Sequence, residues 1–483
     1  MSVTNAVVKR FESTMTRYID FKTLPIFKDI KKIVDEAPKL TEFRYKCKIH
    51  TIKHDIPIYK IISFDTIRNY INNISDEIHI MLYIKNRDYL RDIYPYADNL
   101  ELTFEIEEIA ISRYGDEIVI DRYKERFKAI LKDKENINVI NAKAEKYDDS
   151  ELDKSGFVEV RFQLLNRSFE PLRVKLVDGV VTKVTPQDII ENIIKSESQK
   201  ILVDGKPCLD KIDITEPNNK EKQYNVIMPS GTHVIDIPDL VQNQYCGVYS
   251  SCLGSYIQYY EDKQTWFVYP IYDYEQFDKT DKKKIIFYNT DKQMLPASEI
   301  TYREEGKTIY IMITGKVKYH SDLESEYMNN GVGFKAPGAK SFMRKPVELT
   351  ADKVLGNRER LNHEIIQKDR LDGLNYAPRS KVYITSNPFR EYSNIARKSV
   401  AQITLEWNHA RYGMIYPGMP CKYNFINNGK QQTIRGIIVH THTLITLKGS
   451  PSTSNTYTTN TSIVIALEKP MEILKGEEED QDA

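Results

Sequence analysis

His440-Thr441-His442 sets two imidazoles on one face of an extended segment, about 7 Å apart, which is half of the ligand set of a zinc site. No third ligand lies nearby in sequence, so the pair reads as the polar face of an edge or interface strand. His363-Glu364 is followed by Ile365-Ile366-Gln367, and the second histidine of an HExxH zinc helix is missing. The Gly-dense stretch Asn330-Gly331-Val332-Gly333 lacks the further Gly and Lys that cradle a phosphate, and reads as a loop. The adjacent carboxylates Glu107-Glu108 and Glu304-Glu305 sit where strand geometry turns neighbours to opposite faces, so neither pair converges as the acid and base of a glycosidase. Arg44, Lys46 and Lys48 share a basic strand face that no aromatic residue interleaves, which favours a solvated or subunit-facing surface over a nucleic-acid track. The expectation is a protein that is not an enzyme, with no catalytic, cofactor-binding or metal residue.

The elements that would carry these residues are mostly strands. Phe43, Tyr45, Cys47 and Ile49 alternate with Arg44, Lys46, Lys48 and His50; Leu100, Leu102, Phe104 and Ile106 alternate with an acidic set, Glu101, Glu105 and Glu107. Val158, Val160, Phe162 and Leu164 repeat the pattern, and Leu172 to Leu176 with Val180 to Val184 predict a hairpin about Asp178-Gly179. Thr185-Pro186-Gln187-Asp188 predicts a helix from Pro186 to about Lys195, and Ile26, Ile30, Ile33 and Val34 an earlier short one. Asp204-Gly205, Glu261-Asp262 and Glu305-Gly306 mark further turns. Ile403, Leu405 and Trp407 open a C-terminal block with the turns Tyr416-Pro417-Gly418 and Asn428-Gly429, a glycine at 436 that predicts a bulge or kink, and a last strand from Thr456 to Leu467. Residues 399 to 467 are expected to close a small barrel with Ile403, Leu405, Trp407, Ile463 and Ile465 inside.

The predicted class is mainly β with an α+β insertion: two tail-tube-like small β-barrels and a mixed middle segment. The expected divisions are an N-terminal extension with a helix (1–40), a first barrel (41–185), an α/β insertion (186–282), a β meander with a connecting arm (283–380), a second barrel (381–470) and an acidic disordered tail (471–483). Within the fourth, residues 328 to 350 read as an exposed arm.

The 483 residues are 41% hydrophobic, enough for several cores, and 69 basic residues balance 69 acidic ones, so no bulk field draws the chain to nucleic acid or an anionic membrane. No run approaches the roughly 20 apolar residues of a membrane helix, and the start lacks a secretory leader, so cytosol-like synthesis is expected. Five scattered cysteines form no CxxC pair and read as buried thiols. The 32 tyrosines suit large protein interfaces, or simply a β-rich protein.

The segment Tyr412-Gly413-Met414-Ile415-Tyr416-Pro417-Gly418-Met419-Pro420-Cys421-Lys422, the strand through Ile437-Ile438-Val439-His440 and the closing Tyr457-Thr458-Thr459-Asn460-Thr461-Ser462-Ile463-Val464-Ile465-Ala466-Leu467 resemble the end of the baseplate hub proteins of contractile phage tails, the late control protein D family included. The resemblance covers residues 389 to 468. It implies a homotrimeric ring in the virion tail baseplate, made in the bacterial cytoplasm, that adapts a sixfold tail tube to a threefold spike. Its implied partners are itself, the tail spike, the tail tube, baseplate wedge or tube-initiator proteins and the tape measure protein, with DNA only in transit and no membrane binding. Alternatives are another tail-tube or tail-tip structural protein and a cell-wall hydrolase of the tail tip.

Overall fold

The computed structural model describes residues 41–111, 117–132, 156–290, 301–321 and 400–468, with short gaps at 72, 224, 315–316, 428–429 and 452–454. It also describes Asp29–Lys31, Ile33, Asn387, Phe389, Arg390, Ser393 and Ala396. The expected arm at 328 to 350, His363-Glu364, Asn330 to Gly333 and the Asn428-Gly429 turn lie outside the described residues.

The fold is mainly β. The first block contains β1 (Thr41–His50), β2 (Asp55–Pro57), β3 (Lys60–Arg68), β4 (Glu77–Lys85), β5 (Leu100–Ile111), β6 (Glu117–Leu131) and β7 (Phe157–Asn166). They pair antiparallel in the order β2-β1-β5-β6-β7-β4-β3. The sheet wraps a core to which β5 contributes Leu100, Leu102, Phe104 and Ile106, all buried as their alternation requires. Phe64 stacks on Phe104 at 4.0 Å in its centre.

The middle of the chain holds β8 (Leu176–Val181), β9 (Leu202–Val203), β10 (Lys206–Pro207), β11 (Lys211–Ile214), β12 (Val226–His233), β13 (Leu253–Tyr260) and β14 (Lys263–Pro270). The helix Pro186–Gln199 begins at a capping box in which Thr185 and Asp188 bond each other's backbone, and it runs one turn beyond the expected end. Its Ile189, Ile190 and Ile194 pack on Trp266 and Val268 of β14. The β13–β14 hairpin turns at Glu261 and Asp262, both at positive φ, as read from the sequence. The expected hairpin at Asp178-Gly179 does not form. Phe169–Arg173 is a short helix, and Gly179 lies within β8, which pairs instead with β12.

The rest comprises β15 (Lys284–Asn289), β16 (Tyr302–Glu305), β17 (Thr308–Ile313), β18 (Lys318–Ser321), β19 (Ala401–Asn408), β20 (Pro420–Asn427), β21 (Lys430–Leu447) and β22 (Tyr457–Leu467). The four strands after residue 400 do not close on one another. They run β19-β22-β21-β20, with β20 continuing by parallel pairing into β15 and β17, and β19 into β18. The second core therefore draws Ile285, Phe287, Ile309, Ile311 and Ile313 from well upstream, beside Ile403, Leu405, Trp407, Ile463 and Ile465.

One strand joins the two blocks. The first half of β21 pairs with β20 (Pro420↔Ile437 to Asn427↔Lys430), and its second half pairs with β3 (Thr441↔Arg68 to Thr446↔Ser63), while β22 follows it from Gly436 to Leu447. Val439 is an extra residue between the pairs Ile438↔Ile465 and His440↔Val464. This bulge changes the parity of the inward residues. Ile434 and Ile438 line the second core before it, and Thr441, Thr443 and Ile445 are buried after it, whereas the odd-numbered residues of β22 are buried from Thr459 to Leu467. Gly436 is not the bulge. A Cβ there would meet Ile465 at 2.6 Å and the Ala466 carbonyl at 2.8 Å, so glycine permits the close approach of two strands.

Trp407 is 1% exposed, and its indole N–H donates to the Thr301 hydroxyl at 2.7 Å. Trp407→Ala should lower the unfolding free energy by about 3 to 5 kcal/mol through the cavity it leaves. Denaturant titration checks this, and a loss under about 1 kcal/mol would show that the second core is not packed as described.

Candidate functional site

Among the described residues the two histidines find no third ligand. His442 Nε2 bonds Asp65 Oδ1 of β3 at 2.6 Å, a cross-strand tie between the blocks. His440 is held below the usual imidazole range by burial and by the neighbouring charge of His442. Among the described residues no three His, Cys, Asp or Glu side chains gather to hold a metal. Glu108 is buried against Arg411 Nε at 3.0 Å and accepts from the Tyr302 hydroxyl, whereas Glu107 on the outer face bonds Lys46 Nζ at 2.7 Å. Glu304 pairs with Lys283 at 2.8 Å, and Glu305 approaches Arg303. Each adjacent carboxylate pair is thus divided between separate cations.

The basic face of β1 and the acidic face of β5 lie side by side. β1 lies beside β5 in the register Arg44↔Glu107 and Lys46↔Glu105, and β6 on the far side supplies Arg122, which bonds Glu105 at 2.6 Å, and Arg126, which bonds Glu101. Arg44 reaches Glu117, and Lys48 reaches Asp55. The basic and acidic rows form a stripe neutralised within the chain, each pair weakened by its exposure to solvent. Many tyrosines are internal as well: Tyr70, Tyr249, Tyr256, Tyr412, Tyr416 and Tyr423 are buried.

A buried polar junction joins the first block, the insertion and the loop between β19 and β20. Arg68, at the inner end of β3, is 3% exposed. Its Nε donates to Asp76 at 2.9 Å, its Nη1 to the Ile415 carbonyl at 3.4 Å, and its guanidinium lies 5.3 Å and 4.6 Å from the rings of Tyr412 and Tyr416. Burial pulls the guanidinium down, but the Asp76 carboxylate and the surrounding tyrosines more than restore it, so Arg68 stays charged. Tyr70 also donates to Asp76 and stacks at 3.8 Å on Tyr256 of β13. Tyr256 in turn donates to the Pro417 carbonyl at 3.2 Å. Gly418 follows at φ +90, where a Cβ would meet the Tyr269 ring at 2.7 Å, so only glycine turns the loop here.

On the other side of Arg68 is Glu125 of β6, a carboxyl in the apolar phase of its strand beside Phe127 and Ala129. It accepts from the Tyr123 hydroxyl and from Asn166 Nδ2 at 3.1 Å, and Asn166 also donates to Gln264 of β14. Burial, with help from Asp76, pushes this carboxyl up to about 8, against the pull of Tyr123, Arg68 and Asn166. The sequence analysis did not single out Arg68 or Glu125. The available signal was a charged residue in the inward phase of a strand, after Phe64 and Thr66 in one case and before Phe127 in the other.

The surface offers edges and one apolar ribbon. The long sheet ends in β2 and β16, of three and four residues, short enough to limit unwanted pairing. β8 and β12 form a separate two-stranded ribbon on which Leu176, Val180 and Ile227 are exposed, with Val174 just before it.

No known family model and no curated protein matches the sequence. Solved structures with a similar course include a tail protein from Neisseria meningitidis MC58, with 9% identity, 88% of this chain and 96% of that chain covered, and a TM-score of 0.42. They include a 43 kDa tail protein of prophage MuSo2 from Shewanella oneidensis, with 8% identity, 87% and 98% covered, and a TM-score of 0.37. The E. coli c3393 protein, a type VI secretion component similar to T4 tail proteins gp27 and gp5, matches with 8% identity, 86% and 76% covered, and a TM-score of 0.38. Two of these are tail proteins and one is a component of a secretion system. At such identities and scores they transfer no residue and no role to this chain.

Two predictions follow from the junction. Arg68→Met leaves the Asp76 carboxylate without its cation and should cost about 3 to 5 kcal/mol, partly recovered by adding Asp76→Asn. A loss under about 1 kcal/mol in denaturant unfolding would contradict the pairing. Glu125 keeps its proton in the folded chain up to about pH 8, whereas the unfolded chain releases it near the ordinary carboxyl value of 4.5. The folded state binds more protons between these values, so this contribution is complete at low pH and declines until pH passes about 8. Glu125→Gln should therefore reduce the fall of Tm between about pH 5 and pH 9; an unchanged fall would show that Glu125 is not the group responsible.

Proposed function

We propose that the chain is a structural hub of a phage tail baseplate, a homotrimer whose ring adapts a sixfold tail tube to a threefold spike around the channel for tape measure protein and DNA. The observation that supports it best is that two β-rich blocks are fused through β21 within one chain. Three copies then present six β blocks held at fixed spacing by covalent and hydrogen-bonded continuity, the simplest way for threefold symmetry to meet sixfold. The resemblance over residues 389 to 468 points the same way. A hub needs rigid sheets and broad contacts in place of perturbed catalytic groups, and the ion pairs of the β1–β5–β6 stripe leave that face close to neutral.

In this reading the exposed β8–β12 ribbon and the short terminal strands are surfaces available to neighbouring subunits, the tail tube, the spike and wedge or tube-initiator proteins. The chain works in the virion baseplate after synthesis in the bacterial cytoplasm. The domain limits proposed are those expected from the sequence, with the strands from 284 to 313 built into the second block.

Imaging the assembled particle tests the reading. Three copies of the chain in one ring at the tube–spike boundary are expected, with the two blocks of each copy superposing as related folds. Six copies per ring, or blocks that do not superpose, would overturn it; peptidoglycan cleavage by the purified chain would favour the tail-tip hydrolase.

A further inference from the structure

Between β4, β6, β7 and β13 lies a cavity of about 10 Å³, lined by Arg68, Asp76, Glu125, Asn166 and Gln258 among others. That is close to the smallest space that holds one water molecule. Gln258 is 4% exposed, and neither its amide oxygen nor its amide nitrogen has a hydrogen-bond partner among the described residues. Leaving a buried amide without partners is costly enough that native structures nearly always satisfy it. Its neighbours on the strand are occupied elsewhere: Ile257 donates its backbone N–H to Ile74 at 2.7 Å, and Tyr259 bonds Asp262.

The opposite wall has a matching requirement. Both Glu125 oxygens already accept hydrogen bonds, from Tyr123 and from Asn166. Each carboxyl oxygen keeps a second lone-pair site, so the group can take one further partner from the cavity. Gln258 offers an acceptor and donors, and the cavity separates the two. Arg68 and Asp76 are turned to each other, Tyr70 to Asp76, and Gln264 to Asn166.

We propose that this cavity is a binding site for one ordered water molecule, which bonds the Glu125 carboxyl and the Gln258 amide, so that the insertion docks on the first block through a hydrated contact. The water supplies the polar complementarity that β6 and β13 lack when pressed together directly. Such a contact holds the insertion at one position, because sliding β13 along β6 breaks hydrogen bonds on both sides at once.

Two measurements on the full chain test this. A density map at a resolution that shows ordered solvent should contain a peak within about 3.2 Å of the Gln258 amide and of one further polar group of the cavity. Gln258→Leu gives the second readout. With water in place, the substitution strips its anchor and removes the hydrogen bonds it makes across the cavity, so Tm should fall by about 2 to 4 °C. If the amide is merely buried without a partner, the same change removes an unfavourable polar group and Tm should rise. Glu125→Gln keeps the shape and a donor, and should retain the density peak. A dry cavity in the map, or a raised Tm for Gln258→Leu, would overturn the proposal.

Discussion

The bulge at Val439 constrains everything else in the fold. A strand's side chains alternate strictly, so a strand of 18 residues that serves two cores in succession must keep the same face inward along its whole length. β22 does so without interruption, with Ile465, Ile463, Thr461 and Thr459 buried in sequence. β21 bends between its two halves, and the extra residue absorbs the bend: even positions are inside up to Ile438 and odd positions from Thr441. Deleting the bulge would turn one half of β21 outward and expose one of the two cores. The seam between the cores is threonine-rich, with Thr443 bonded to Thr461 at 2.9 Å and Tyr45 to Thr459 at 2.9 Å. β-branched residues with a hydroxyl fill the space where two apolar cores meet and satisfy each other across the strands.

The junction around Arg68 adds what a shared strand cannot. β21 ties the two β blocks, but the insertion meets them through side chains and through backbone bonds such as that from the Ile257 N–H to the Ile74 carbonyl. One guanidinium, two carboxyls and five or so tyrosines gather where β3, β6, β13 and the Tyr412–Pro417 loop converge, and each contributes a partner to a different unit. Buried charge of this kind adds little net stability compared with an apolar core, but it penalises every alternative arrangement that leaves a member unpaired. Fixed geometry between units is the property a ring-forming hub would need. The abundance of tyrosine belongs in part here, since a ring with a hydroxyl fills volume and ends in a hydrogen bond.

Elements governed by local chemistry were legible in the sequence. The alternation of β5, β19 and β22, the capping box at Thr185 and the Glu261-Asp262 turn all depend on neighbours within a few residues. The pairing of β15 with β20 was not legible, because the strands are separated by more than a hundred residues and parallel pairing leaves no local turn signal. The Asp178-Gly179 hairpin was misread for the opposite reason: a strong local signal lost to β12, which pairs along β8. The charged rows of β1 and β5 were correctly seen as outer faces, but alternation alone does not say which strand lies alongside, and here each row neutralises the other. The junction escaped notice because Arg68 and Glu125 look like ordinary members of polar-apolar strands until their phase is counted.

The central claim, that the two blocks form one body through β21, is most directly tested by native-state hydrogen exchange along the seam. The amides of β3 from Ser63 to Arg68 and those of β21 from Thr441 to Thr446 should open together, with the same free energy as the core of the second block near Ile403 and Ile465. Exchange of the β3 amides at a clearly lower free energy, independent of the second block, would show two separately folding units in loose contact and would contradict the account.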